Sequence, residues 1–333
     1  MLPPLAVSIG DPAGIGPEIV ARAWAARNTE RLPPFFAVGD RRAIAAVWDG
    51  PVEVLSVPGD AAAVFDRALP LVQVDDPGEI VPGDANLAGA RCALDSLELA
   101  VGLTRGGFAS GIVTGPVSKA QLYAIGFNYP GQTEFVAERC GIAAANAVMM
   151  LAGPSLRTVP ATVHTPLADV PRLLTTELLV NKARITAKAL CRDFGLVRPR
   201  LVFAGLNPHA GESGTLGREE VDIIQPAMAA LVLEDIDVRG PFAADTLFHA
   251  DARATYDVAI CMYHDQALIP LKTLHFEDGV NVTLGLPVVR TSPDHGTAFG
   301  IAGRGLADCR AMIAAIRMAG ECAARRAMAA HAV

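Results

Sequence analysis

A chain of 333 residues that is 51% hydrophobic, 19% charged and 5% aromatic can bury a large core, enough for two lobes. A net charge of -7 without any long basic block argues against nucleic acid and anionic membrane as partners. No apolar run approaches the ~20 residues of a membrane span and the opening MLPPLAVSIGDPAGIG has no basic leader, so the expected place is the cytoplasm.

The first expected strand, PLAVSIG, leads through the glycine-rich turn GDPAGIG into a helix over Pro17–Arg27. That turn is spaced G-x-x-x-G-x-G, which is not the dinucleotide fingerprint G-x-G-x-x-G. Strands FFAVGD and VEVLSV follow, then a helix over Ala85–Arg105 and the strand GIVTG. TGPVSK offers a helix-start anion site with Ser118 and Lys119. Beyond a helix over Thr133–Cys140 come the strands AVMML and VPATVH and a helix over Thr176–Phe194. Apolar positions three and four apart mark that helix, and Gly195 stops it. RLVFAGLN, a helix over Arg218–Glu234, YDVAICMY, VNVTLG, LPVVRT and a helix over Asp308–Ala329 complete the series. Short apolar runs alternating with helical patterns predict an α/β fold with a largely parallel sheet. The six cysteines are far apart and form no C-x-x-C pair, so reduced core thiols are expected.

Three of the seven histidines share one context. His164 ends VPATVH, His209 follows RLVFAGLNP, and His264 follows YDVAICMY. Ligands of open α/β sheets gather beyond the carboxyl ends of strands, so three imidazoles there can hold a divalent metal with a position left open. The run HDQALIPLK adds Asp265, able to orient an imidazole, and Lys272 beyond an apolar stretch. A partly desolvated lysine beside a cation should titrate nearer neutrality, as a general base must. Asp245 in AADTLF is a similar acid–base candidate, and His275 a candidate supporting contact.

The runs SIGDPAGIGPEI, VTGPVSK, HTPL, LNPHAGESG, GPFAADTLF, MYHDQALIPLK and TSPDHGTAFGIAGRG stand in the order found in one enzyme family. The chain resembles the 4-hydroxythreonine-4-phosphate dehydrogenases of pyridoxal 5′-phosphate biosynthesis from about Leu5 to Ala329. The resemblance implies a two-lobed fold like that of isocitrate and isopropylmalate dehydrogenases, with mostly parallel sheets and an interlobe cleft. The lobes are expected over 1–129 with 280–333, carrying the dinucleotide loops, and over 130–279, carrying metal ligands and dimer contacts.

It also implies a homodimer with its active site at the subunit interface, NAD or NADP as cofactor, and one divalent ion, zinc, magnesium or cobalt, per site. The metal ligands carried over are His164, His209 and His264, with His264 completing the neighbouring protomer's site. Substrate contacts carry over to Thr133, Lys272, Asn281 and Arg290, the last at the end of LPVVR. The family's usual Gly-His-Thr-Glu reads GQTE here, so Gln132 stands at a substrate position with an amide that cannot carry a proton's charge. PDHGTAFGIAGRG resembles the adenosine-binding loop of isopropylmalate-type dehydrogenases, with His295, Gly296 and Thr297 as contacts. Gly300 stands there where relatives mostly have Asp.

The implied reaction oxidises 4-phosphooxy-L-threonine to a 2-amino-3-oxo acid phosphate, which loses carbon dioxide to give 3-amino-2-oxopropyl phosphate. Rival readings keep the hydride chemistry on a phosphorylated threonate or erythronate or an aromatic cis-dihydrodiol. Others replace it with acyl-phosphate transfer or with silent small-molecule binding.

Overall fold

The computed structural model describes residues 2–74 and 78–331. In chain order its strands are β1 (Leu5–Ser8), β2 (Phe35–Gly39), β3 (Val52–Val54), β4 (Leu69–Gln73), β5 (Ile112–Thr114), β6 (Val148–Gly153), β7 (Leu156–Pro160), β8 (Arg200–Ala204), β9 (Asp237–Phe242), β10 (Val258–Cys261), β11 (Val280–Leu284) and β12 (Arg290–Pro293). The longer helices are α1 (Gly16–Ala25), α2 (Leu87–Arg105), α3 (Gln132–Arg139), α4 (Thr176–Phe194), α5 (Gln225–Leu233), α6 (His264–Leu274) and α7 (Arg310–His331). The chain divides into two compact units, Met1–Ala144 with Leu286–Val333, and Ala145–Gly285.

In the first unit the strands run β3-β4-β2-β1-β5-β12, every neighbouring pair parallel. β1 and β2 are buried on both faces, as continuous apolar runs in a helix-covered parallel sheet require. The turn Gly10–Gly16 is buried throughout.

In the second unit the order is β11-β6-β7-β10-β8-β9. β11 and β7 flank β6 antiparallel, and the remaining neighbours are parallel. Helix α6 buries Ala267, Leu268 and Leu271 against Leu151, Leu156 and Cys261. Helix α4 covers the predicted range; Thr175 Oγ1 accepts from Leu178 N, and Gly195, at φ 71, closes its last turn.

Several expectations are corrected. The division falls after Ala144 and after Gly285 rather than after 129 and 279. Helix α3 belongs to the first unit because Phe135 packs with Phe127 and Tyr129, and β11 belongs to the second because it pairs with β6. The strand expected as VPATVH is the hairpin arm LRTVP. Arg290 opens β12 instead of closing a strand over LPVVR, where Pro287 has no N–H for a ladder. The six cysteines are free, but Cys191 is exposed and Cys140 and Cys309 are only half-buried.

Candidate active site

β10 lies between β7 and β8, with Ile260 level with Val159 on one side and with Phe203 on the other. Parallel neighbours stand about 4.8 Å apart, so the loops that follow these strands open side by side. They carry His164, His264 and His209. The amino ends are tied too: Asp257 accepts Arg200 N at 2.7 Å and pairs with its guanidinium at 3.1 Å. Near the carboxyl ends the buried Gln266 accepts from Met262 N at 2.6 Å and donates to Gly205 O at 2.7 Å, joining β10 to β8. Sequence reasoning did not single out Gln266, whose role depends on two strand ends distant in sequence.

The His164 and His264 rings are 5.7 Å apart between centres, inclined by 40°. Two imidazoles binding one zinc-type ion at about 2.0–2.1 Å through nitrogen place their ring centres about 5–6 Å apart, so the pair fits a shared ion. His264 Nδ1 lies 2.7 Å from Asp265 Oδ1, a contact that favours the proton on Nδ1 and leaves the Nε2 lone pair available to a ligand. His164 has φ 52, a left-handed conformation that non-glycine residues seldom adopt and that clusters at functional sites.

Among the described residues no group of three or more His, Cys, Asp or Glu side chains could hold an ion. The His264 ring lies beside that of His164, and His209 sits on a turn lining a cavity of about 480 Å³ with Ala210, Glu212 and Gln225. Residues His209–Ser213 all have φ between 42 and 75, and only one of them is glycine. Left-handed helical backbone costs about 1–2 kcal/mol per L-residue, so this turn is held against a local cost of several kcal/mol.

Lys272 and His264 line one cavity of about 470 Å³ with Asp265, Leu268 and Ile269, about 12 Å apart along α6. Asp245 is exposed on the turn Ala244–Thr246 and is not grouped with the histidines. His275 faces elsewhere: its Nε2 lies 2.8 Å from Ser155 Oγ and its Nδ1 3.3 Å from Asp278, locking the β6–β7 hairpin.

In the first unit Arg290 is buried at the start of β12, donating to Thr114 Oγ1 at 2.8 Å and to Thr133 Oγ1 at 3.4 Å. Burial pushes its guanidinium down to about 10, with Glu134 acting in the opposite sense. Gln132 Nε2 donates to Gly115 O at 3.2 Å, and its buried Oε1 has no hydrogen-bond partner among the described residues. A buried guanidinium that donates to Thr133, with a buried amide oxygen with bonding capacity to spare on the preceding residue, suits an anionic, hydroxyl-bearing ligand. Asn281 lies in the second unit on β11 and also has a buried Oδ1 without a partner among the described residues.

His295 and Gly296 are exposed, and the carbonyl of half-buried Thr297 accepts Ile15 N at 2.9 Å, docking the loop on the Gly10–Gly16 turn. A Cβ on Gly296 or Gly300 would meet nothing within 4 Å, so neither glycine is required by packing within the chain. At TGPVSK the expected anion site is a helix cap, since Ser118 Oγ accepts Gln121 N at 3.4 Å at the start of a six-residue helix.

The sequence model of the family described as pyridoxal phosphate biosynthetic protein PdxA matches residues 32–319. A 4-hydroxythreonine-4-phosphate dehydrogenase from Zymomonas mobilis is 58% identical over 97% of this chain and 96% of its own length. The crystal structure of a 4-hydroxythreonine-4-phosphate dehydrogenase from Klebsiella pneumoniae superposes with a TM-score of 0.87 at 33% identity, covering 97% of this chain and 98% of that one. A terephthalate 1,2-cis-dihydrodiol dehydrogenase from Burkholderia xenovorans superposes with a TM-score of 0.66 at 31% identity, covering 96% and 99%.

Proposed function

Because the chain belongs to the PdxA family of pyridoxal phosphate biosynthetic proteins and is an oxidoreductase, we propose that it oxidises 4-phosphooxy-L-threonine at its secondary hydroxyl. The product, a 2-amino-3-oxo acid phosphate, then loses carbon dioxide to give 3-amino-2-oxopropyl phosphate. One observation carries the metal-assisted form of this reading: the His164–His264 pair, with Asp265 behind one ring and Lys272 on the same cavity.

His164 and His264 would hold a divalent ion; nitrogen donors suit zinc or cobalt better than magnesium, which prefers oxygen. When bound, such an ion favours ionisation of a hydroxyl and polarises a carbonyl. Lys272 takes the hydroxyl proton and returns a proton to the carbon that carbon dioxide leaves. Asp265 fixes the His264 tautomer. Arg290, with Thr133 beside it, grips a phosphate or carboxylate through its planar fork. Gln132 and Asn281 supply neutral hydrogen bonds. The loop at His295, Gly296 and Thr297 would hold the adenosine end of a nicotinamide dinucleotide, NAD or NADP, which when bound would supply the hydride acceptor. The open space over Gly296 supports that assignment. The reading sets the enzyme in the cytoplasm, where a thiol as exposed as Cys191 stays reduced.

The protein would act as a homodimer in which His209 of one chain completes the pair of the other. Mixed dimers test this. His164→Ala and His264→Ala subunits damage the same pair and do not complement one another, whereas either regains activity when mixed with His209→Ala. Recovery from the His164→Ala and His264→Ala mixture, with subunit exchange proven, refutes the arrangement. The activity itself is tested with metal-stripped protein, NAD and candidate alcohols, following NADH with and without zinc, cobalt or magnesium. An amino-ketone phosphate product supports the proposed substrate; turnover of an aromatic dihydrodiol instead would favour the chemistry named for the Burkholderia xenovorans relative.

A further inference from the structure

We propose that Glu220 is a positioning residue for His209: its buried carboxylate holds the left-handed turn that carries this imidazole. The inference rests on the metal reading above for its functional consequence, and on geometry alone for the mechanical one. Glu220 is 1% exposed, at the start of the π-helical turn Glu220–Ile224, a rare form that recurs at functional sites. Its Oε1 accepts the backbone N–H of Asn207 at 2.8 Å, and its Oε2 accepts Asn207 Nδ2 at 2.9 Å. Glu219 Oε2 accepts from the same amide at 2.7 Å, so Asn207, the residue before the turn, is gripped from two sides.

Two glycines make room for this carboxylate. A Cβ on Gly211, within the turn at φ +75, would lie 2.5 Å from Glu220 Oε2. A Cβ on Gly205, at the end of β8, would lie 2.9 Å from Ala210 Cα and 3.2 Å from Glu220 Oε1. The turn thus folds back onto the strand end with Glu220 wedged inside it. Four L-residues, two on either side of Gly211, hold left-handed backbone, which persists only where surrounding contacts over-determine it. Loss of the wedge lets the backbone of His209 relax, and the imidazole moves with it.

The test compares wild type with Glu220→Gln, which keeps the side-chain volume but opposes Asn207 Nδ2 with an amide donor. Gly211→Ala disturbs the same contact from the other side if Glu220→Gln fails to fold. In metal-free protein, hydrogen exchange over 207–214 should accelerate at least 10-fold in the variant, with β7 and β10 unchanged. Cobalt(II) titration of the whole dimer should show affinity reduced about 10- to 100-fold, as for other residues that orient metal ligands. The absorption spectrum should shift in the direction seen for His209→Ala. The double variant Glu220→Gln/His209→Ala should bind cobalt no more weakly than His209→Ala alone, because the two act through one ligand. Unchanged exchange over 207–214, or cobalt losses that add in full, overturns the proposal. If His209→Ala leaves cobalt binding of the wild-type protein untouched, the metal reading fails, while the exchange measurement still decides whether Glu220 holds the turn.

Discussion

Arg290 offers a perturbation in which stability and function move in opposite directions. The guanidinium is 3% exposed, and its fall to about 10, more than two decades below the ordinary range of arginine, corresponds to about 3 kcal/mol of unfavourable burial. The sign follows from the direction of the shift. The folded protein resists the proton, so the cost is present in full at every pH below 10 and is relieved only as pH rises above it, where the folded state releases the proton before the unfolded chain does. The hydroxyls of Thr114 and Thr133 and the opposite charge of Glu134 offset part of this cost. Arg290→Met keeps the stem and removes the charge, so at pH 7 it should gain about 1–3 kcal/mol in urea unfolding followed by circular dichroism. The same variant should raise KM for the phosphorylated substrate roughly 10- to 100-fold in an NADH assay, the loss expected for a charge-assisted pair. A variant that unfolds more easily than wild type would show Arg290 to be a structural tie. An unchanged KM would remove it from the substrate site.

Two further substitutions separate orientation from folding. Asp265→Asn, at an exposed carboxylate, should leave thermal unfolding unaltered while weakening zinc or cobalt binding about 10- to 100-fold by competition with a chelator. Asp257→Asn should destabilise the protein by about 1–2 kcal/mol at pH 7. Burial pushes this carboxyl up, but its hydrogen bonds and ion pair with Arg200 outweigh burial and hold it below the usual carboxylate range. A lowered carboxyl contributes its stability above the unfolded value, about 3.9, and loses it as pH falls through the folded one. The gap between Asp257→Asn and wild type should therefore close in acid; a gap that persists at pH 2 would refute the ion-pair account.

Much of the fold is legible from local patterning. Apolar residues three and four apart, with a threonine before and a glycine after, define α4, because helix periodicity and capping are properties of neighbouring residues. The strands before His209 and His264 are equally plain apolar runs, whereas the one before His164 lies over LRTVP, earlier than the pattern suggests. β9, DVRGPF, is hidden by Gly and Pro that an edge strand tolerates, and β4, LPLVQ, is obscured by its proline.

From the chain alone came the α/β class, the three histidines at strand ends, and the carboxylate beside one of them, since each depends on composition or spacing of a few residues. Tertiary structure alone brought the His164 and His264 rings to 5.7 Å from one another, from loops that follow the neighbouring strands β7 and β10. It likewise decided that HAGESG winds left-handed, a conformation no local preference favours, beside a Glu220 carboxylate that lies outside that stretch and bonds Asn207 just before it. Spacing records what a residue can do; only the packed chain determines which distant partner it meets.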